Sequence, residues 1–169
     1  MSIQMSCAFD KEDIKNTLGK YNSWVPDSYI DFLSQSNGMF INGDSYCVIP
    51  FSKVDSKEIS IQEIYGVRAR NVEFDLDNIN RFRDDIMAFQ NPLIIAGDPG
   101  GNFFLFSGNQ DDDAVYYWDR AHIHFEHCYD YPEGNEEGNI YKLSNSFNGF
   151  YKLIMRNVGG DISIVTQCL

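Results

Sequence analysis

The chain predicts an α+β fold, one domain over residues 1–169 in which a twisted, mostly antiparallel sheet is flanked by helices from both termini. Helical apolar spacing falls at the two ends and in one middle segment, while short β-branched and aromatic runs between glycine or Asn-Gly turns fill the rest. Of 169 residues, 43% are hydrophobic and only 22% charged, which excludes intrinsic disorder. A folded chain of this length removes roughly 68–70% of its unfolded surface from water, so one core forms without metal or disulfide staples.

Asp10 caps a first helix running through Leu18, with Glu12 and Asp13 in its positive first turn and Ile14 and Leu18 four apart; Gly19 marks its end. Pro26 fits the first position of a second helix, whose Tyr29, Phe32 and Leu33 share a face and whose exit is Asn37-Gly38. Strands follow at Met39 to Ile41, Tyr46 to Ile49 and Ile59 to Tyr65. Asp75 to Met87 returns to helical spacing through Leu76, Ile79, Phe82 and Ile86. Leu93 to Ala96 and Asn102 to Phe106 form strands around the turn Gly97-Asp98-Pro99-Gly100-Gly101. Ala114 to Trp118 repeats the strand texture, and His122 to Cys128 extends it. Tyr131 to Asn139 reads as a charged loop. Ser144 or Ser146 caps a helix with Phe147, Phe150, Tyr151 and Ile154 on its buried side, and a last short strand fits Ile162 to Val165.

Lys and Arg number 13 against 25 Asp and Glu, a net charge of −12. Nucleic-acid binding through phosphates needs a basic footprint and is not expected; a basic protein is the natural partner. Met1 to Lys15 has neither a basic leader nor an apolar run, so no membrane association and a cytoplasmic location are expected. The four cysteines, Cys7, Cys47, Cys128 and Cys168, lie far apart with no C-x-x-C pair, and are expected as reduced, mostly buried thiols.

Candidate chemistry is sparse, and no cofactor is implied. Neither lysine nor a hydroxyl residue follows the glycines at Gly97 to Gly101, so the segment reads as a hairpin and not a phosphate cradle. All three histidines, His122, His124 and His127, fall in one stretch with Glu126, where strand alternation can converge two imidazoles on a metal. A metal-dependent hydrolase follows only if a remote ligand completes that set, and none is identifiable; surface or structural histidines are the expectation. Tyr116, Tyr117 and Trp118 fit core packing better than base stacking. Asp111, Asp112 and Asp113, and again Glu133, Glu136 and Glu137, concentrate negative potential beside the sheet.

The ordered signals resemble the Smi1/Knr4 group of the SUKH superfamily. Trp24-Val25-Pro26-Asp27-Ser28-Tyr29-Ile30-Asp31-Phe32-Leu33, closing on Ser36-Asn37-Gly38, is similar to the family's opening helix. Ala96-Gly97-Asp98-Pro99-Gly100-Gly101 resembles its central hairpin, Val115 to Asp119 its aromatic strand, and Ser146-Phe147 with Phe150 its closing helix. The motif-bearing part is about residues 21–155, and the fold implied is the α+β one already read. By this resemblance Pro26, Phe32, Asn37, Gly38, Gly100, Gly101, Trp118, Phe147 and Phe150 are structural. Met39, where the family often has a small residue, and the acidic stretch Tyr131 to Asn139 depart from the pattern. Bacterial members are typically immunity proteins that bind a cognate toxin, often a nuclease; eukaryotic members are interaction modules. The resemblance therefore implies a non-enzymatic protein that neutralises a basic nuclease toxin by acidic-surface occlusion, with Asp111 to Asp113, Glu133, Glu136, Glu137 and Tyr117 at the interface. The alternative on the same fold is a regulatory module without a toxin.

Overall fold

The computed structural model describes residues 3–120, 131–132 and 139–169. Among these the fold is α+β. Nine strands form one sheet: β1 (Ile3–Met5), β2 (Met39–Ile41), β5 (Glu63–Ile64), β6 (Leu93–Gly97), β7 (Phe103–Phe106), β8 (Val115–Asp119), β9 (Tyr131–Pro132), β10 (Asn139–Ser144) and β12 (Ile164–Thr166). Their order is β12-β1-β2-β5-β6-β7-β8-β10-β9, antiparallel except where β1 meets β12. A second sheet holds β11 (Val158–Gly160), β3 (Ser45–Pro50) and β4 (Glu58–Ser60), in that order.

Helices α1 (Lys11–Gly19), α2 (Asp27–Gln35) and α4 (Phe147–Asn157) form for the local reasons read in the sequence. Asp10 accepts from Asp13 N–H at 3.0 Å, and Ser146 accepts from Gly149 N–H at 3.1 Å, each satisfying an orphan amide of the first turn. Ser144 instead braces that cap, donating to the Ser146 carbonyl at 2.9 Å. Pro26 sits one residue earlier than expected: its ψ of 140° is extended, so it caps α2 from outside.

The central strands are buried on both faces. On one face Tyr29 of α2 meets Phe106 edge-on at 5.4 Å, and Phe150 of α4 lies 5.2 Å from Phe104. On the other, Phe82 stacks on Phe103 at 5.8 Å and Phe89 packs on Tyr116 at 5.0 Å. Removing one of these rings, as in Phe150→Ala, costs about 3–5 kcal/mol.

Asn37 explains why α2 closes where it does. It is buried, donates to the Val67 carbonyl at 2.7 Å and accepts from Val67 N–H at 2.8 Å, clamping the helix exit to the segment after β5. Gly38 follows at φ +112°, and a Cβ there would stand 2.9 Å from the Ile64 carbonyl oxygen, so a side chain is excluded by strain and by space.

Four expectations are corrected. Asp75 to Met87 is not one helix but a single turn, α3 (Leu76–Ile79), followed by a 3₁₀ stretch at Asn80–Asp85. Asn80 breaks it: its buried amide donates to the carbonyls of Leu76 and Ile94 at 2.9 and 2.8 Å and accepts from Ile94 N–H at 2.9 Å, tying the chain to β6. Ile59 to Tyr65 is two strands, because Ile61 N–H donates to Cys47 in the second sheet while Gln62 N–H donates to Gly97 in the first. The charged loop expected over Tyr131 to Asn139 is strand at both its ends, Tyr131–Pro132 forming β9 and Asn139 opening β10, where it pairs with Pro132 and with Asp119 of β8. Cys7 and Cys168 are a disulfide, not thiols, with Cα atoms 4.7 Å apart, because the β1–β12 pairing brings the two chain ends together. In the chain-entropy account a bridge across so long a loop contributes up to about 5 kcal/mol. Cys47 is a buried free thiol, its pKa pushed up to about 11 by desolvation.

Candidate functional site

Two loops flank β7 and both carry acids, Asp98 in the first and, in the second, the run Asp111 to Asp113 that the sequence singles out. The first is the hairpin turn between β6 and β7. Asp98 Oδ1 accepts from Gly100 N–H at 2.8 Å and Asn102 N–H at 2.9 Å, and Oδ2 accepts from the Asn102 amide at 2.9 Å and the Tyr117 hydroxyl at 3.4 Å. Gly101, at φ +85°, donates its N–H to the Asp98 carbonyl at 3.3 Å. The turn's amides are thus already bonded within it and offer nothing to a phosphate. Tyr117, expected at an interface, is buried with its hydroxyl on Asp98. Trp118 is fully buried, with the Arg120 guanidinium 4.8 Å from its ring centre.

Beside this turn stands Glu63. Burial, opposed by a hydrogen bond from the Tyr65 hydroxyl at 3.0 Å and reinforced by the Asp98 charge, raises its carboxyl from the ordinary 4.5 to about 7. Burial foremost, and the neighbouring carboxylates after it, hold the Tyr65 and Tyr117 phenols neutral.

The second loop joins β7 to β8. Asp112 is its brace, accepting from the Ser107 hydroxyl, from the Tyr116 hydroxyl at 3.0 Å and from Ala114 N–H at 3.2 Å. Asp113 turns outward and accepts from the Trp24 indole N–H at 2.9 Å, while Trp24 N–H donates to the Gly108 carbonyl at 2.9 Å. Trp24 remains 38% exposed, and Asp111, at φ +61°, is exposed as well. The sequence alone did not mark Trp24 as a surface residue; its place just ahead of Val25-Pro26, where the chain enters α2, was the available signal. An exposed indole held by a carboxylate can anchor a partner, since aromatic centres with a charged rim dominate binding energy.

A cleft of about 290 Å³ lies between α2 and α4, lined by Asp31, Phe32, Phe147 and Tyr151 among others, at the low end for a small-molecule site. Phe32, Phe147 and Phe150 belong to the aromatic cluster beneath it. Glu133, Glu136, Glu137, His122, His124, His127 and Cys128, with the strand expected at His122 to Cys128, lie outside the described residues. Among the described residues no group of three or more His, Cys, Asp or Glu is placed to hold a metal, and no helix is long and apolar enough to cross a membrane.

Helices layered over an aromatic, mostly antiparallel sheet define the chain as an α+β domain. The model of the SMI1 / KNR4 family (SUKH-1) matches residues 8–153, and the chain belongs to that family. Comparison with curated proteins finds no match, and comparison with solved structures finds none.

Proposed function

We propose that this chain is a non-catalytic immunity protein that binds and neutralises a cognate toxin domain, with a basic nuclease as the toxin. Family membership supports an interaction role. The observation that carries the finer reading is the β7–β8 loop, where Trp24 is held exposed by Asp113 with Asp111 two residues away. Nuclease clefts are cationic because their substrate is anionic. A chain of charge −12 is steered into such a cleft at rates up to on the order of 10⁸–10⁹ M⁻¹s⁻¹ at low salt. In this reading Trp24 gives the buried centre of the interface, Asp111 and Asp113 give register and rate, and Glu133, Glu136 and Glu137 contribute negative charge to the encounter.

The reading places its action in the cytoplasm, where an incoming nuclease finds its substrate. The Cys7–Cys168 bridge pulls the other way, since cytosolic thiols rest reduced. A regulatory module without a toxin is the second reading, and it is favoured by the family match alone. The immunity reading requires a large secreted toxin encoded beside this gene, and co-expression with the C-terminal domain of that toxin separates the two. Restored growth supports immunity, and continued killing contradicts it.

A further inference from the structure

The nine-stranded sheet ends in β12, and among the described residues no strand pairs with its outer side. Ile3 N–H donates to the Ser163 carbonyl and Gln167 N–H to the Met5 carbonyl, both at 2.9 Å, so odd-numbered residues of this stretch aim their backbone groups at β1. By strand alternation Ile164 and Thr166 aim theirs away from the sheet. Ile162, Ile164 and Val165 are 67%, 55% and 43% exposed, three of the seven exposed large apolar side chains among the described residues. From Ile162 to Leu169 there is no charged side chain and no proline, the devices by which sheets keep an edge from pairing. The strand is also tied down. Cys168 is bonded to Cys7, and Leu169 N–H donates to Ser6 Oγ at 3.2 Å. An ordered, apolar edge with open backbone groups is suited to strand addition.

We propose that β12 pairs antiparallel with β12 of a second copy, joining two sheets across a two-fold axis. The stretch is self-complementary about Ile164. In that register Ile164 faces its own counterpart, Ile162 faces Thr166 and Ser163 faces Val165. Asp161, the nearest acid, stays outside the pairing, its carboxylate accepting from Ser163 N–H at 2.9 Å. The outward N–H and C=O of each Ile164 then bond one another. A charge of −12 on each copy opposes association, so the dimer tightens as salt screens it. One strand pair buries less than the ~1,200 Å² of a standard stable interface, which places the dissociation constant in the micromolar range or weaker.

Sedimentation velocity on the full, oxidised chain from about 5 µM to about 500 µM tests this in the concentration range of such weak interfaces. The expected result is a reversible monomer–dimer equilibrium that tightens at least about threefold from about 50 to about 500 mM NaCl. Ile164→Lys and Thr166→Lys, both at exposed positions, weaken the dimer at least about tenfold, the first by setting two cations opposite each other at the two-fold and the second by setting a cation against Ile162 of the other copy. Their far-UV circular dichroism and melting temperature stay those of the unsubstituted chain. A monomer throughout the range, or a dimer that both lysine variants leave intact, overturns the proposal, and neither outcome bears on toxin binding.

Discussion

The two loops flanking β7 are both short, polar and acidic, yet they use their carboxylates in opposite ways. In the hairpin turn Asp98 bonds backbone and side chains of its own loop and faces inward. In the β7–β8 loop Asp112 does the bracing, which frees Asp113 to position an exposed indole and leaves Asp111 facing water. An acid in a loop is therefore available for recognition only when a neighbour already satisfies the loop's amides. That difference gives the first loop a structural role and leaves the carboxylates of the second open to the partner that the proposed function invokes.

The comparison breaks most readily at Asp98. Asp98→Ala removes the acceptor of two backbone amides, the Asn102 amide and the Tyr117 hydroxyl, and is expected to destabilise the fold by about 3–4 kcal/mol in urea denaturation. A loss below about 1 kcal/mol would remove the hairpin's structural role. Trp24→Ala should lower the melting temperature only modestly while weakening toxin binding by about 2–3 kcal/mol, or roughly 30- to 160-fold, by calorimetric titration. Equal affinities would take Trp24 out of the interface.

Glu63 sharpens the contrast through pH. Its folded-state pKa is raised from 4.5 to about 7, so the folded chain holds a proton that the unfolded chain has released. The stability this proton contributes is full below about pH 4.5 and is lost as pH rises through 7, an effect of up to about 2–3 kcal/mol. Glu63→Gln, which fixes a neutral group there, should abolish that slope between pH 4.5 and 7 and make the chain more stable than its parent at about pH 8. The smallest effect belongs to Asp111→Asn, which should change stability by less than about 0.5 kcal/mol.

What was legible in the sequence was local. Asp10 and Ser146 cap their helices within three residues, Gly101 turns a hairpin within its own loop, and the Phe147-Phe150 spacing places both rings on the buried face of α4. What was not legible depends on partners distant in the chain. The Cys7–Cys168 bridge needs the parallel pairing of strands from opposite ends of the chain, its two cysteines lying 161 residues apart, and Asn80 ends a helix because Ile94 waits across the core. The Trp24–Asp113 contact joins positions 89 apart, so the acids were visible in the sequence and the indole beside them was not.

The central claim is that acids of the β7–β8 loop help to recognise a basic toxin. The most direct measurement is the stopped-flow association rate with the cognate toxin domain that the proposal requires, at low and physiological salt, for the unsubstituted chain and for an Asp111→Asn/Asp113→Asn double variant. The carboxamide oxygen introduced by Asp113→Asn can still accept from the Trp24 indole, so charge alone is removed. The account predicts a rate that falls steeply with salt, and a variant that is slower at low salt with a shallower dependence. Identical rates and identical salt dependence in the two proteins would contradict it.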